Sequence, residues 1–235
     1  MVLPVKPFSR AKSRLAAAGF GPWRHELAHA FFLDTLRAVR ATESVRAVVV
    51  VTDDPLAASQ ARTMDAVVCP DEPGIGLNGA VRLGAGRAAA LVPGAPVAVL
   101  TADLPALRPE ELGRALAEAR GHRRAFVADH TGEGTTLLTA RRASALAPSF
   151  GAGSRYRHVR GGAFHVETPA GSGLRLDVDT PDDLAAAVLR GAGPYTKALF
   201  SLHHAMAAPD GGDLDAAALF PHARRLQGAS DSSSS

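Results

Sequence analysis

The sequence predicts a single α/β domain built on a mainly parallel, mixed sheet with helices on both faces. Short apolar runs rich in β-branched residues alternate with stretches of helical composition along the chain, and this order is expected when helices connect parallel strands. The run RAVVVVT at 46–52 is apolar without alternation, as expected of a strand that is covered on both faces. A length of 235 residues suffices for one such domain and is short for two.

The individual elements follow from the same patterns, taken in chain order. Apolar runs predict strands at 2–5, 46–52, 66–69, 96–101, 125–129, 136–139 and 163–167. Helices are predicted at about 24–40, 55–63, 78–91, 108–120 and 180–189. A proline near the start supports three of these helices, because the first turn tolerates proline. Thr180, followed by Pro181, Asp182 and Asp183, has the pattern of a helix N-cap.

The two ends of the chain differ in composition. Residues 1–197 carry the alternating pattern and are predicted to form the domain. Residues 198–235 are predicted to be a C-terminal extension, largely disordered beyond residue 207 because that tail is rich in Ala, Gly, Asp and Ser. A homodimer is compatible with the sequence.

The composition of the chain bears on its cellular location and on whether it binds a membrane or nucleic acid. No apolar run approaches the roughly 20 residues of a membrane span, so we expect a soluble protein without a membrane partner. Cys69 is the single cysteine, which excludes an internal disulfide or thiolate metal cluster and favours the cytoplasm. The formal charge is +3 with a pI near 9.5. Because no aromatic-rich sheet motif, zinc finger or basic helix accompanies that charge, we expect no nucleic-acid partner.

Cationic residues follow the first predicted strand, at the sheet edge where ligands bind in such folds. Lys6 comes directly after this strand, and the next loop carries Lys12, Ser13 and Arg14. Lysine with planar arginine suits a triphosphate, whose charge is spread over many oxygens. The chain has no G-x-x-x-x-G-K-[ST] loop and no G-x-G-x-x-G beside the first strand, so neither a Walker loop nor a dinucleotide site is expected. A solvated basic segment is the alternative interpretation.

Aspartates follow two later segments. Asp103 follows the apolar run at 96–101 and comes two residues before a proline. It either points toward the ligand-binding edge of the sheet or simply forms a turn. Asp177 and Asp179 are two residues apart, so an extended segment presents both carboxylates to one side. Like charges held together are unfavourable without a cation between them. The pattern favours Mg²⁺, a hard ion that prefers oxygen ligands and binds substrate phosphates, although Asp179 could instead cap the following helix.

Two segments combine glycine with small hydroxyl residues, at 129–136 and 150–158. Glycine lets backbone N–H groups approach an anion closely, so the segments indicate a small phosphate- or carboxylate-bearing substrate held largely by main chain. Plain loops are the alternative. Asn78 opens a predicted helix and either caps it or reads the edge of a nucleotide base. His158 and His165 are each interpreted as a structural or a surface residue.

Taken together, these motifs resemble the guanylyltransferases of coenzyme F-420 biosynthesis, which act on 2-phospho-L-lactate or phosphoenolpyruvate. The matching segments run in order over nearly the whole chain: PVK (4–6), AKSRL (11–15), LN (77–78), ADLPAL (102–107), PEEL (109–112), FVAD (126–129), GEGTTLL (132–138), FGAGSRYRH (150–158) and LRLDVDTPDDL (174–184). The resemblance implies a Rossmann-like nucleotidyltransferase fold of the glycosyltransferase-A-like kind.

The resemblance also implies a set of site residues. It implies GTP as donor, Mg²⁺ held by Asp103, Asp177 and Asp179, and a phosphorylated three-carbon acid held by Thr135, Gly151 and Ser154. Glu133 departs from the family pattern, which more often has a small residue there, and a carboxylate that pointed inward would disturb an anion site. The actinobacterial character of the resemblance favours phosphoenolpyruvate over 2-phospho-L-lactate or 3-phosphoglycerate.

The expected reaction is in-line attack of the acceptor phosphate on the α-phosphorus of GTP, with Lys6, Lys12, Arg14 and Asp103 as catalytic residues and pyrophosphate as leaving group. Lys6, Lys12, Ser13, Arg14, Asn78 and Asp103 are the expected nucleotide-binding residues. A sugar- or molybdopterin-type nucleotidyltransferase is a second hypothesis, but its usual G-x-G-x-R loop is absent after the first strand. A nucleotide-binding regulatory module without chemistry is a third.

Overall fold

A computed structural model describes residues 1–10, 12, 15 and 23–207. The chain divides into two compact units, Met1–Thr196 and Lys197–Ser235, and the sheet lies in the first. The prediction of disorder beyond residue 207 falls outside the described residues. The division into a domain at 1–197 and a C-terminal extension at 198–235 stays a prediction.

Seven strands form a single sheet in the order β3-β2-β1-β4-β6-β5-β7. They are β1 (Val2–Pro4), β2 (Val49–Val51), β3 (Val67–Cys69), β4 (Val97–Leu100), β5 (Arg124–Ala128), β6 (Thr135–Ala140) and β7 (Phe164–His165). β1 lies parallel between β2 and β4, β3 is parallel to β2, and β7 is parallel to β5. β6 runs antiparallel between β4 and β5. The predicted mixed, mainly parallel α/β sheet is therefore confirmed.

The described α-helices are α1 (Arg24–Arg40), α2 (Pro55–Thr63), α3 (Gly76–Leu91), α4 (Pro109–Ala119), α5 (Ser154–Arg160), α6 (Pro181–Leu189) and α7 (Pro194–Ala207). Short 3-10 helices lie at Phe8–Arg10 and Ala143–Ala145. α5 and α7 were not predicted, because α5 follows a glycine-rich segment and α7 lies where the sequence pattern weakens. None of the helices in the described ranges is long and apolar enough to cross a membrane.

Both faces of the sheet are covered, because side chains along a strand alternate in direction. Leu3, Val50 and Leu100 belong to a buried cluster that also contains residues of α1, α2 and α4. Val49 and Val99 face the other way, into a cluster with α3. This explains the unbroken valine run of β2: each valine has a buried face to fill. Helices on both faces were predicted, and the two clusters confirm them.

Helix starts agree with local capping chemistry. Thr180 caps α6, and its side chain and that of Asp183 exchange hydrogen bonds with each other's backbone. Pro109 occupies the first turn of α4, as predicted. α3 differs from the prediction: it begins at Gly76, and its N-cap residue Ile75 makes no side-chain cap. The capping role considered for Asn78 is therefore wrong.

Candidate active site

Polar residues gather at the edge of the sheet where β1, β4 and β5 end and β6 begins. Lys6 is exposed just after β1, and Asp103 follows β4. The backbone N–H of Val178 donates to the carbonyl of Asp103 at 3.1 Å. This bond holds the segment with Asp177 and Asp179 alongside the segment after β4. The structure thus brings the predicted aspartates from distant parts of the sequence to one edge.

Lys12 reaches into this edge and pairs with two of the aspartates. Its ammonium lies 2.5 Å from Asp103 Oδ2 and 2.8 Å from Asp179 Oδ1, and its side chain is only 8% exposed. Burial alone lowers the pKa of an ammonium, but the charges of these two carboxylates and their hydrogen bonds raise the pKa of Lys12 above its ordinary value. Lys12 therefore remains charged and neutralises part of the acidic cluster.

Asp177 is a carboxyl with a strongly raised pKa. Burial, followed by the charges of Asp103, Asp129 and Asp179, raises its pKa to about 7. His130 Nδ1 lies 3.3 Å from its Oδ1. Burial and three neighbouring carboxylates therefore both disfavour the charged form of Asp177.

His130 connects Asp177 to the start of α6. Its Nε2 lies 3.1 Å from Asp183 Oδ1. The other oxygen of Asp183 accepts hydrogen bonds from the backbone N–H of Asp179 and from both the N–H and hydroxyl of Thr180. The residue that caps α6 thus also fixes the backbone beside Asp179 and faces His130. Neither His130 nor this second role of Asp183 was predicted, because both depend on contacts across the fold.

The aspartates of this cluster have the donor atoms that a divalent cation prefers, but their side chains do not have the arrangement that would hold one. No described group of three or more His, Cys, Asp or Glu side chains is arranged to hold a metal ion. However, Asp103 Oδ1 is buried and has no hydrogen-bond partner among the described residues, which is costly for a carboxylate oxygen. Carboxylate oxygens are also the ligands that Mg²⁺ and Mn²⁺ prefer. The donor set and the unpartnered oxygen are therefore compatible with a metal site.

A tight turn after β5 is organised by Asp129. Its Oδ1 accepts from Thr131 Oγ1 and the backbone N–H of Glu133, while its Oδ2 accepts from the N–H of Gly134 at 2.8 Å. A Cβ on Gly134 would lie 2.3 Å from that Oδ2. The carbonyl of Asp129 in turn accepts two hydrogen bonds from the guanidinium of Arg175. Glu133 is exposed, so its backbone rather than its carboxylate belongs to the turn.

The second glycine-rich segment, residues 149–153, is tied down by side chains from two helices. Asn78 bridges Phe150, donating to its carbonyl at 3.2 Å and accepting from its N–H at 2.8 Å. Arg157 donates to the carbonyls of Ser149 and Ala152. Gly151 has a φ of +115°, which favours glycine. We call these five residues the acceptor loop, because Gly151 is one of the residues that the resemblance predicts to hold the acceptor.

Thr135 and Ser154, two of the predicted substrate-binding residues, are both buried. Ser154 is hydrogen-bonded to this loop directly, and Thr135 is connected to it through His158. Ser154 begins α5, and its backbone N–H donates to the carbonyl of Gly151 at 3.0 Å. Thr135 begins β6, and its hydroxyl lies 3.0 Å from His158 Nδ1. His158 Nε2 accepts from the backbone N–H of Ser149 at 3.1 Å. Of the two interpretations of His158, structural or surface, the structure favours the first, because His158 is buried and joins the strand to the loop.

Apart from Lys6, which is exposed just after β1, the predicted site residues divide into three groups. Lys12, Asp103 and Asp179 are in direct contact, and Asp177 lies close enough for their charges to act on it. The second group lies in or beside the acceptor loop and contains Asn78, Thr135, Gly151 and Ser154. Ser13 and Arg14 lie outside the described residues.

Comparison with known proteins shows the family of this chain. A family model described as "Guanylyl transferase CofC like" matches residues 1–209. A phosphoenolpyruvate guanylyltransferase from Thermomonospora curvata is 52% identical over 199 residues, covering 85% of this chain and 87% of the relative. A phosphoenolpyruvate guanylyltransferase from Streptomyces scabiei is 50% identical over 202 residues, covering 84% and 94%.

Solved structures place the fold among nucleotidyltransferases of the nucleotide-diphospho-sugar transferase kind. A cytidylyltransferase from Leptospira borgpetersenii has a TM-score of 0.54 at 12% identity, covering 91% of this chain and 97% of its own. A manganese complex of Rv0371C from Mycobacterium tuberculosis has a TM-score of 0.51 at 18% identity, covering 80% and 97%. The predicted nucleotidyltransferase fold is confirmed, and the chain belongs to the CofC-like guanylyl transferase family.

Proposed function

We propose that this chain transfers GMP from GTP to phosphoenolpyruvate, with release of pyrophosphate, in coenzyme F-420 biosynthesis. The family match and the names of relatives about 50% identical support the reaction and the acceptor. The observation that carries the proposal is the contact of Lys12 with both Asp103 and Asp179, with Asp177 beside them. It joins a cationic loop and an acidic cluster at the ligand-binding edge of the sheet.

The chemistry is dominated by charge. An oxygen of the acceptor phosphate attacks the α-phosphorus of GTP, a new P–O bond forms, and the bond to the β-phosphate bridging oxygen breaks. That phosphate is already ionised near neutral pH, so no general base is needed. Both reactants are anions, and the protein must offset their repulsion with cations and fixed N–H groups.

We assign the cationic part of this task to Lys6, Lys12, Ser13 and Arg14, which bind the triphosphate. The ammonium of Lys12 would move from Asp103 and Asp179 to the phosphates when nucleotide arrives. A lysine side chain has the reach and flexibility for such an exchange. Asn78 is proposed to bind the nucleotide through the amide hydrogen that its bridge to Phe150 leaves free.

Asp103, Asp177 and Asp179 would hold Mg²⁺. Two observations support this assignment: a buried oxygen of Asp103 has no partner within the described part of the chain, and the pKa of Asp177 is raised. When bound, the ion supplies positive charge that draws donor and acceptor phosphates together and stabilises the charge of the transition state. The manganese complex of a fold neighbour makes a divalent ion chemically reasonable here.

We assign the acceptor to Thr135, Gly151 and Ser154. Phosphoenolpyruvate carries a phosphate and a carboxylate, and hydroxyls with backbone N–H groups can bind both. A cytoplasmic location is also proposed, because both substrates are phosphorylated metabolites and Cys69 is a free thiol. The predicted homodimer stays a prediction.

Pyrophosphate release tests the proposed function directly. The purified protein is incubated with GTP, ATP, CTP or UTP, with Mg²⁺, and with phosphoenolpyruvate, 2-phospho-L-lactate or 3-phosphoglycerate. We expect release with GTP and phosphoenolpyruvate, and a product mass equal to the acceptor plus GMP. GTP binding without pyrophosphate from any acid would overturn the proposal in favour of a non-catalytic nucleotide-binding module. Release with 2-phospho-L-lactate alone would overturn only the acceptor.

A further inference from the structure

We propose that His158 is a positioning residue that fixes the hydroxyl of Thr135 as a hydrogen-bond donor toward an anionic oxygen of the acceptor. The inference rests on the proposed function in one respect, namely that Thr135 contacts the acceptor. It goes further in naming the direction of the hydrogen bond and the residue that sets it.

The direction follows from the two contacts of the imidazole. The backbone N–H of Ser149 points at Nε2 at 3.1 Å, and a backbone N–H can only donate. Nε2 must therefore carry a lone pair, so the single proton of a neutral imidazole is on Nδ1. Nδ1 lies 3.0 Å from Thr135 Oγ1 and donates to it. The hydroxyl proton of Thr135 is then directed to a different partner.

The imidazole of His158 is neutral, and its orientation is fixed by packing. Burial, followed by the charges of Arg157 and Arg124, lowers the pKa of His158 to about 4, so the imidazole is neutral near pH 7. His158 is 3% exposed. Its ring packs at 5.8 Å from that of Phe126 and edge-on at 5.4 Å from that of Phe150. A ring flip would also break both hydrogen bonds, so the tautomer is fixed by packing and by its partners.

The consequence is a preorganised donor at the acceptor site. Because the Thr135 oxygen already accepts from His158, its proton is available to an oxyanion without reorientation. Ser149, the other partner of His158, opens the acceptor loop, so one imidazole sets the spacing between Thr135 and that loop. The arrangement favours ligands that present a phosphate or carboxylate oxygen to Thr135. It has no corresponding effect on GTP.

Two substitutions separate the two hydrogen bonds of His158. In His158→Asn the side-chain amide lies near the position of Nδ1, so it can still donate to Thr135 but cannot reach Ser149. In His158→Gln the amide reaches the position of Nε2, so it can accept from Ser149 but leaves Thr135 without a donor. We expect His158→Gln to raise the KM for phosphoenolpyruvate about tenfold, the effect of one hydrogen bond to an anion. We expect the KM for GTP to stay unchanged in both variants. His158→Asn should keep most of the wild-type affinity for phosphoenolpyruvate.

A double-substitution cycle excludes a merely structural effect. Thr135→Val removes the hydroxyl and keeps the shape of the side chain, so it should itself raise the acceptor KM. In that background His158→Gln should add little, because the bond it disrupts is already gone. Equal acceptor KM values for His158→Gln and His158→Asn, or parallel changes in the KM for GTP, would overturn the inference.

A spectroscopic measurement tests the inference without activity. In protein labelled with ¹⁵N-histidine, the NMR signals of His158 should show the proton on Nδ1 and an unprotonated Nε2, and His158→Gln identifies the signals by their loss. A proton on Nε2 would overturn the inference even in an active enzyme. The Nδ1–H tautomer in a protein that transfers no GMP would instead uphold the geometry and overturn the proposed function.

Discussion

Lys12 Nζ lies 2.5 Å from Asp103 Oδ2, so a residue expected to bind triphosphate contacts a residue expected to bind metal. The same ammonium contacts Asp179. Lys12 has a φ of +56°, a conformation that costs free energy in a residue other than glycine. An ammonium and a divalent ion cannot occupy one position between these carboxylates. Lys12 and the metal should therefore compete in the nucleotide-free protein.

This competition predicts that Lys12→Met binds Mn²⁺ more tightly than the wild type when no nucleotide is present. Removing the ammonium takes away the positive charge that contacts Asp103 and Asp179, and we expect about tenfold higher affinity for Mn²⁺. Titration of Mn²⁺ followed by electron paramagnetic resonance measures it. Lys6→Met is the matched control, because Lys6 is exposed at the same edge. Equal or weaker Mn²⁺ binding by Lys12→Met would show that metal and lysine do not share the position.

Asp103→Asn should abolish guanylyl transfer and leave the fold intact. The amide keeps the size of the side chain but removes the negative charge, so turnover with saturating Mg²⁺ should fall by at least about 10³-fold. Asp182→Asn is the control, because Asp182 is an exposed carboxylate in the nearby first turn of α6. Pyrophosphate release and the melting temperature are measured for both. Wild-type rates in Asp103→Asn would refute its role in metal binding.

The sequence predicts the acidic cluster well, because position after a strand decides which edge a residue reaches. Asp103 could be assigned to this edge from its position after a strand, and the spacing of Asp177 and Asp179 indicated that their carboxylates face one side. The contact with Lys12 could not be predicted, since it depends on the path of an irregular loop and on a long, flexible side chain. No local pattern encodes where an ammonium at the end of four methylene groups will lie.

Asn78 and His158 show a second limit of sequence reasoning. Asn78 was placed at a helix start, but α3 begins two residues earlier, at Gly76, and the amide bridges a residue 72 positions away. His158 joins β6 to the acceptor loop across 23 and 9 positions. Hydrophobic periodicity carries no information about such polar contacts, which only the assembled fold creates.

The stability contributed by His158 should depend on pH. Its folded-state pKa of about 4 lies below the ordinary histidine value of 6.5, so the unfolded chain binds more protons between these values. The contribution is complete above pH 6.5 and is lost as the pH falls toward 4, up to about 3 kcal/mol. His158→Asn should therefore destabilise the protein more at pH 7.5 than at pH 4.5.

Urea unfolding of wild type and His158→Asn at several pH values checks this difference. The comparison must be made between variants, because Asp177 acts in the opposite sense. Its pKa, raised to about 7 by burial and neighbouring carboxylates, makes the folded state bind more protons as the pH falls toward the ordinary aspartate range. A destabilisation that stays constant with pH would mean that His158 titrates alike in folded and unfolded protein.

Gly134→Ala should disrupt the turn that follows β5. The added Cβ would lie 2.3 Å from Asp129 Oδ2 and 3.0 Å from its Cγ, so the carboxylate must move and its hydrogen bonds to the N–H groups of Glu133 and Gly134 must weaken. We expect a loss of about 1–3 kcal/mol in the free energy of unfolding. The KM for the acceptor should also rise, because Thr135 directly follows the turn.

Gly86→Ala is the matched control for this substitution, since a Cβ at Gly86, within α3, meets nothing within 4 Å. Alanine in a helix is favoured over glycine, so this variant should gain about 0.5–1 kcal/mol and keep the wild-type KM. Urea unfolding and acceptor titration of both variants give the comparison. If Gly134→Ala behaved like Gly86→Ala, the Asp129 carboxylate would not be what holds the turn, and the backbone leading into Thr135 would have to be fixed by other contacts, such as that between Arg155 and the carbonyl of Glu133.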